Sequence, residues 1–289
     1  MKSSFFTGAC TALVTPFLDH KVNYPMLEQL LRRQMEAGIK AVVLCGTTGE
    51  SATLSDTEKL EIIRRGKNFV GNRCRIIAGT GSNSTEHAVA LSKAAQQMGA
   101  EGLLVVTPYY NKATPEGLFA HYLSIAHAVT IPVILYNVPS RTGVDIPISI
   151  YQRLAQVPNI IGVKEASMSI SKIARVIRET GPDFAVWSGN DDMTVPVISL
   201  GGQGVISVIS NLYPEKVAAM ADAALDGDLD TAAALQTQML ELCDLMFSEV
   251  NPIPVKAALN CMGYDCGGCR LPLTAPTQDT LQKIQAHFR

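Results

Sequence analysis

The feature that most constrains this chain is the regular return of short, β-branched apolar runs between segments of helical periodicity. The runs are Ala9 to Val14, Ala41 to Cys45, Arg75 to Ala78, Gly102 to Val106, Val133 to Tyr136, Ile160 to Val163, Phe184 to Trp187 and Gly204 to Ile209. They recur about every 25 to 30 residues, the length of one strand and its crossover helix. Between them lie segments with helical periodicity, for example Leu27, Leu30, Leu31, Gln34 and Met35, or Leu118, His121, Tyr122 and Ile125. Capping chemistry opens two of these segments, Ser55-Asp56-Thr57-Glu58 and Ser84-Thr85-Glu86. Eight strand–helix alternations favour an α/β fold of the (β/α)₈ TIM-barrel type over a doubly wound open sheet. The barrel is expected to occupy residues 1–225. After Gly227 only helical patterns remain, at Leu229 to Met246, Val255 to Cys261 and Gln278 to His287. Residues 226–289 therefore read as a C-terminal helical appendage, too small to be confidently autonomous and packed on the barrel.

The 289 residues are 47% hydrophobic and 17% charged, which excludes a disordered or fibrous chain. With 24 basic against 26 acidic residues and no run of four like charges, neither nucleic acid nor an anionic membrane has a footprint. The longest apolar stretches, such as Ile131 to Tyr136, fall far short of the roughly 18 residues a membrane span requires. Met1 to Phe17 reads as the approach to a first strand and not as a signal peptide, given its single Lys2, Gly8 and the closing Thr15-Pro16. Seven cysteines form an odd set without disulfide-scaffold density, which fits a reducing cytoplasm. Cys243, Cys261, Cys266 and Cys269 can be imagined as zinc ligands. Cys243 and Cys261 read better as small apolar helix residues, Cys266 and Cys269 as members of a loop, and no metal is expected. His20, His87, His121, His127 and His287 lack ligand spacing and read as solvated or capping residues.

In a barrel of this kind reactive groups belong at the C-terminal ends of the strands. The second run leads into Gly46-Thr47-Thr48-Gly49-Glu50, whose backbone N–H groups and hydroxyls can hold a carboxylate or phosphate, or merely form a tight turn. Gly79-Thr80-Gly81 lacks the third glycine of a dinucleotide fingerprint. Tyr136 ends the fifth strand and is either a proton relay or a packed tyrosine. Lys164 follows directly on the apolar run Ile160 to Val163, in an otherwise apolar strand, and precedes Glu165. Burial there disfavours the ammonium and favours the neutral amine, a nucleophile towards carbonyls; a lysine snorkelling to water is the competing reading.

Gly46-Thr47-Thr48-Gly49-Glu50-Ser51, Tyr136-Asn137-Val138-Pro139 with Arg141-Thr142-Gly143, and Gly162-Val163-Lys164-Glu165-Ala166 resemble, in order and spacing, the dihydrodipicolinate synthase family of pyruvate-dependent class I aldolases. The resemblance extends over the chain, including Arg270-Leu271-Pro272-Leu273. It implies condensation of pyruvate with aspartate semialdehyde in lysine biosynthesis, with no cofactor. Lys164 would form the Schiff base, and Tyr136 would transfer protons, linked through the Thr48 hydroxyl to Tyr110 of a neighbouring subunit. Thr47 and Thr48 would hold the pyruvate carboxylate and Arg141 that of the semialdehyde, while Gly189 and Ile206 align with backbone contributors. A homo-oligomer, either dimer or dimer of dimers, is implied too. Within the superfamily an N-acetylneuraminate lyase or sugar-acid aldolase competes, as does, from a different class, a non-catalytic carboxylate-binding barrel. The guanidinium of Arg141 suits a carboxylate-bearing aldehyde better than a polyhydroxylated chain. Ser51, Ala52, Asn83 and Tyr109 match the family's lysine feedback site, whereas Asp56, Lys59 and His87 depart from it and are expected to weaken lysine binding.

Overall fold

Eight parallel strands close on themselves in chain order: β1 (Gly8–Ala12), β2 (Ala41–Leu44), β3 (Arg75–Gly79), β4 (Gly102–Val106), β5 (Val133–Asn137), β6 (Ile160–Glu165), β7 (Ala185–Ser188) and β8 (Gly204–Ser207), with β8 pairing back to β1. The computed structural model describes residues 5–288; Met1 to Ser4, which open the segment read as leading into β1, lie outside the described residues. Each strand is followed by a helix: α1 (Tyr24–Glu36), α2 (Asp56–Val70), α3 (Thr85–Gln97), α4 (Pro115–Ala128), α5 (Ile148–Leu154), α6 (Ile170–Thr180), α7 (Thr194–Ser199) and α8 (Pro214–Leu225). The (β/α)₈ barrel is thus present, and the chain beyond it is helical at α9 (Leu229–Gln238), α10 (Leu240–Met246), α11 (Ile253–Cys261) and α12 (Gln278–His287). Among the described residues no helix is long and apolar enough to cross a membrane.

Alternation along the strands sorts side chains into two layers. Cys10, Ala41, Val43, Ile77, Leu104, Ile134, Tyr136, Trp187 and Ile206 fill the barrel interior. Val42, Ile76, Leu103, Val133, Leu135, Val163 and Val186 belong to the layer beneath the helices. Phe6 stacks on Trp187 at 4.6 Å inside the barrel. Only glycine fits at position 162, since a Cβ there would lie 2.2 Å from the Ala185 carbonyl oxygen and 2.8 Å from the Trp187 ring.

One irregularity interrupts the ladder between β5 and β6. Val133 pairs with Ile160 but Ile134 pairs with Gly162, so β6 carries an extra residue at Ile161. Such a bulge re-phases the strand beyond it. From Gly162 onward the pairing is regular, setting Tyr136 beside Lys164 and Lys164 beside Trp187.

Several element edges differ from those the apolar pattern predicts. The apolar residues of β6 stop at Val163, which predicts its end there, yet the ladder continues through Lys164 and Glu165. Conversely Ile209, read as strand, belongs to a 3₁₀ turn, Ile209–Asn211. The single helix expected from Leu229 to Met246 breaks at Met239, whose N–H bonds to Gln236 O in a tightened last turn. The Gln236 side chain leaves that turn to accept from Val195 N and donate to Asp191 O. Both capping expectations hold: Ser55 and Glu58 form a reciprocal capping box, and the Ser84 side chain accepts from His87 N.

His121, read as a solvated or capping residue, is instead buried on α4 with Nδ1 against the Thr85 hydroxyl at 2.9 Å. Burial lowers its pKa from 6.5 to about 4. Below pH 6.5 the unfolded chain takes up a proton that the folded chain refuses until about pH 4, so stability falls with pH across that window. We expect a loss approaching ~3 kcal/mol by pH 4 from this group. Urea midpoints of His121→Gln at pH 7 and pH 4.5 should differ by less than those of the wild type, and an identical pH dependence would refute the assignment.

Candidate active site

Regular pairing after the bulge carries Lys164 into the mouth of the barrel, where it is 4% exposed. Its Nζ lies 4.6 Å from the ring centroid of Tyr136 on the adjoining strand. Three lysines are buried among the described residues. Lys59 is ion-paired to Asp56 at 3.4 Å and Lys256 to Glu50 at 2.9 Å. Lys164 alone has no carboxylate at ion-pair distance. The adjacent Glu165 is engaged elsewhere, accepting from Tyr151 Oη at 2.6 Å, Asn137 Nδ2 at 2.8 Å and Ser167 N at 3.0 Å. Burial, followed by the charge of Glu165, pushes the Tyr151 hydroxyl up and keeps it a donor. After β7 the chain passes so near Lys164 that a Cβ on Gly189 would lie 3.2 Å from its Cε and 2.7 Å from the Ala166 Cβ. A side chain at 189 would crowd the amine, so glycine is required by the close approach.

Lys164 opens into a cavity of about 380 Å³ at the C-terminal ends of the strands. Thr47, Thr48, Tyr136, Arg141, Lys164 and Gly189 all line it. Arg141 comes from a one-turn helix, Pro139–Thr142, directly after β5. Two sequence candidates do not line it. Ile206 is fully buried in the barrel interior, paired with Cys10, and Tyr110 is 91% exposed with φ +71°. Asp191, Asp192, Asp244 and Asn251 line the cavity without having been singled out. The strand-end rule could have found Asp191 and Asp192, which follow Gly189 after β7. Nothing local marks Asp244 or Asn251, because they reach the site from the C-terminal helices through packing alone.

The turn at Gly46–Glu50 is held from several directions. Glu50 adopts a left-handed conformation (φ +56°), and its buried carboxylate accepts from Lys256 Nζ at 2.9 Å and Arg270 N at 2.9 Å. Thr15 Oγ1 donates to Gly49 O at 2.7 Å, and Asn251 Nδ2 donates to Thr48 Oγ1 at 3.0 Å. The Arg270 guanidinium grips Glu58 at 2.6 and 3.0 Å and holds that carboxyl down to about 2. Asp191 is buried under the cavity, accepting from the Ser207 hydroxyl, Val208 N at 2.9 Å and Ile209 N at 3.3 Å; burial pushes its carboxyl up. The constellation combines a buried amine, a neighbouring phenol, hydroxyls on a rigid turn and a guanidinium at the rim. It can form an imine with a keto acid and hold a second carboxylate.

A separate cluster lies at the start of α2 and α3. His87 Nε2 meets Asp56 Oδ2 at 2.8 Å, His87 Nδ1 meets Ser82 Oγ at 3.0 Å, and Lys59 pairs with the other Asp56 oxygen. Ser51 and Ala52 open a 3₁₀ turn before α2, Asn83 O accepts from Asn111 Nδ2 at 2.9 Å, and Tyr109 is partly exposed. Among the described residues no group of three or more His, Cys, Asp or Glu side chains is arranged to hold a metal ion. Cys243 is buried as expected, whereas Cys261, read as an apolar helix position, is exposed because it ends α11.

Lys256→Met leaves the Glu50 carboxylate buried without its cation, which should cost about 3 to 5 kcal/mol of stability. The Glu50→Gln/Lys256→Met pair should recover part of that loss. Calorimetric melting of the three proteins tests this, and a single variant no less stable than the wild type would show the ion pair to be dispensable.

The sequence profile of the dihydrodipicolinate synthetase family matches residues 5–289. The chain is 46% identical over 285 residues, 99% of its length and 97% of the relative's, to the 4-hydroxy-tetrahydrodipicolinate synthase of Acetivibrio thermocellus. It resembles the dihydrodipicolinate synthase of Cyanidioschyzon merolae solved with lysine bound (TM-score 0.95, 42% identity, covering 98% of this chain and 97% of that one). The chloride-inhibited enzyme of Acinetobacter baumannii, complexed with pyruvate, is equally similar (TM-score 0.95, 41% identity, 97% of each chain).

Proposed function

The chain belongs to the dihydrodipicolinate synthetase family, and from that premise we propose that it is a 4-hydroxy-tetrahydrodipicolinate synthase, condensing pyruvate with aspartate semialdehyde through a Schiff base on Lys164. The observation that carries this reading is the buried Lys164 amine, without a carboxylate partner, in a cavity that also holds Tyr136 and Arg141. A lysine kept for stability is paired, as Lys256 is; an unpaired one costs desolvation and is retained for its chemistry.

The Lys164 amine adds to the keto carbon of pyruvate, and loss of water leaves a cationic imine. That cation withdraws electrons from the methyl carbon, which gives up a proton and becomes an enamine. The enamine carbon attacks the aldehyde, whose oxygen takes a proton; the amine of the second substrate then adds to the imine carbon and expels the Lys164 amine, which closes the ring and frees the lysine. Tyr136, beside Lys164, is the group in place to move these protons. Thr47 and Thr48 offer the anchored turn for the pyruvate carboxylate, and Arg141 offers a charge-assisted contact for that of the aldehyde. Gly189 provides backbone beside the amine, while Ile206, buried in the barrel interior and absent from the cavity lining, takes no part in this reading. No lysine feedback site is part of this reading. In the Asp56 cluster both carboxylate oxygens are already engaged, by Lys59 and His87, which leaves little to attract a ligand ammonium at Ser51, Ala52, Asn83 and Tyr109.

Borohydride added with pyruvate should inactivate the protein irreversibly and place the reduced adduct on Lys164, whereas Lys164→Arg should resist trapping. Arg141→Leu should leave trapping intact and reduce condensation by about 30- to 1000-fold, the worth of a charge-assisted contact of roughly 2 to 4 kcal/mol. Adduct on another lysine, or cleavage of N-acetylneuraminate in place of condensation, would overturn the assignment.

Tyr110 acts in trans in this reading, so the working unit is at least a dimer, and its 91% exposure in the single chain supports that role. Mixing equal amounts of Tyr110→Phe and Lys164→Ala should restore roughly a quarter of wild-type activity after complete subunit exchange, because each mixed dimer regains one of two sites. Activity remaining at the sum of the parents, with exchange verified by mass, would place Tyr110 outside the chemistry.

A further inference from the structure

The ladder between β5 and β6 ends one residue beyond the reacting pair. Tyr136 lies beside Lys164, and the next and last pair is Asn137 with Glu165. Successive side chains on a strand face opposite ways, so Asn137 and Glu165 point out of the barrel, and both are fully buried. Across the ladder Asn137 Nδ2 donates to Glu165 Oε1 at 2.8 Å. The same amide donates to Asp145 Oδ1 at 2.8 Å, and its own oxygen accepts from Ile146 N at 3.1 Å. Glu165 Oε1 also accepts from Ser167 N at 3.0 Å, and Oε2 accepts from Tyr151 Oη of α5 at 2.6 Å. Among the described residues no cation stands at ion-pair distance from Glu165; Lys172 of α6, which reaches the same network, pairs with Asp145.

A carboxylate buried without a cation is a costly way to stabilise a strand, and an apolar residue packed under the helices would do so at less cost. What a directional hydrogen bond adds is a fixed separation between its two ends. That matters here because strand ends open more readily than strand centres. Beyond Ala166 N, which donates to Asn137 O at 2.8 Å, both chains leave the ladder. Tyr136 and Lys164 are the residues immediately inside the side-chain bond, and their own contact, 4.6 Å from amine to ring centroid, contains no hydrogen bond between the two side chains to hold it.

We propose that Asn137 and Glu165 are positioning residues, whose cross-strand bond keeps the Tyr136 phenol at the Lys164 adduct for removal of the methyl proton. This rests on the synthase reading above and assigns the residues that hold its proton-transfer group. In that step a methyl C–H bond of the imine breaks, and its electron pair becomes the C=C bond of the enamine. The imine nitrogen loses its positive charge, and the proton leaves for solvent by way of the Tyr136 oxygen. Imine formation needs the Lys164 amine alone, so loosening the clamp separates the two steps.

The test uses pyruvate without aldehyde. Exchange of its methyl protons for deuterium in D2O, followed by NMR, reads the proton transfer, and the extent of borohydride trapping reads the imine. In Glu165→Ala exchange should fall by about 10- to 100-fold while trapping stays within about threefold of the wild type. Glu165→Gln can still accept from Asn137 and Ser167 through its amide oxygen and donate to Tyr151, so its exchange should stay within about threefold. Equal losses of trapping and exchange would make Glu165 merely structural, and undiminished exchange in Glu165→Ala would make the clamp idle. A Gln variant as slow as the Ala variant would assign the effect to charge. Each of these overturns the proposal, as does a wild type that traps pyruvate without exchanging its protons. Should Glu165→Ala not fold, Asn137→Ser decides by the same two readings, since it leaves Glu165 its bonds to Tyr151 and Ser167. Failure of the wild type to trap pyruvate at all would instead remove the synthase reading beneath it.

Discussion

Strand register in one quarter of the barrel is the constraint on which the rest depends. Side chains alternate with a period of two, so a slip of one residue moves every group on a strand to the other face. In β6 the extra residue at Ile161 sets the phase, and from Gly162 onward the even positions face the interior. Lys164 thereby meets Tyr136 on one side and Trp187 on the other, while Glu165 turns outward to Tyr151 and Asn137. The opposite phase would bury a carboxylate in the mouth of the barrel and expel the amine. Gly162 and Gly189 serve this placement: one yields to Trp187, the other to the Lys164 side chain.

A second constraint ties the C-terminal helices to the barrel. Glu50 receives both Lys256 of α11 and the backbone of Arg270, and Asn251 bonds Thr48 two residues before Glu50. A buried ion pair of this kind contributes little net stability over an apolar substitute, but breaking one half is costly. Its consequence here is geometric. The turn bearing Thr47 and Thr48 is gripped by chain more than 200 residues away in sequence, so the floor and one wall of the cavity are set by contacts between the two regions.

Much of this was legible beforehand because it rests on local chemistry. Eight apolar runs marked the strands, and Ser55 with Glu58 marked the start of α2 through a capping box formed within four residues. Lys164 is conspicuous as a charge at the end of an apolar run. Where the structure departs from the local pattern, a distant partner intervenes. Met239 interrupts a helical pattern, and the nearby Gln236 side chain is drawn to Asp191 and Val195. His121 shares a helical face with Leu118, Tyr122 and Ile125 while its residue type suggests a solvated position; the face decides, and the ring packs inward against Thr85. Strand β6 outlasts its apolar residues because Lys164 and Glu165 still pair through the backbone.

The sequence by itself determined the alternating architecture and the chemical identity of Lys164, Tyr136, Arg141 and the threonine turn. Periodicity and residue type act over a few neighbours, and a single chain displays them in full. Only the tertiary structure decided which groups share the cavity. It brought in Asp192, Asp244 and Asn251, left Ile206 inside the barrel, and carried Tyr110 out to the surface. It also selected Lys164, from three buried lysines, as the one without a carboxylate partner. Those outcomes depend on closure of the barrel and on packing between segments far apart in sequence, and no local pattern encodes the distance between them.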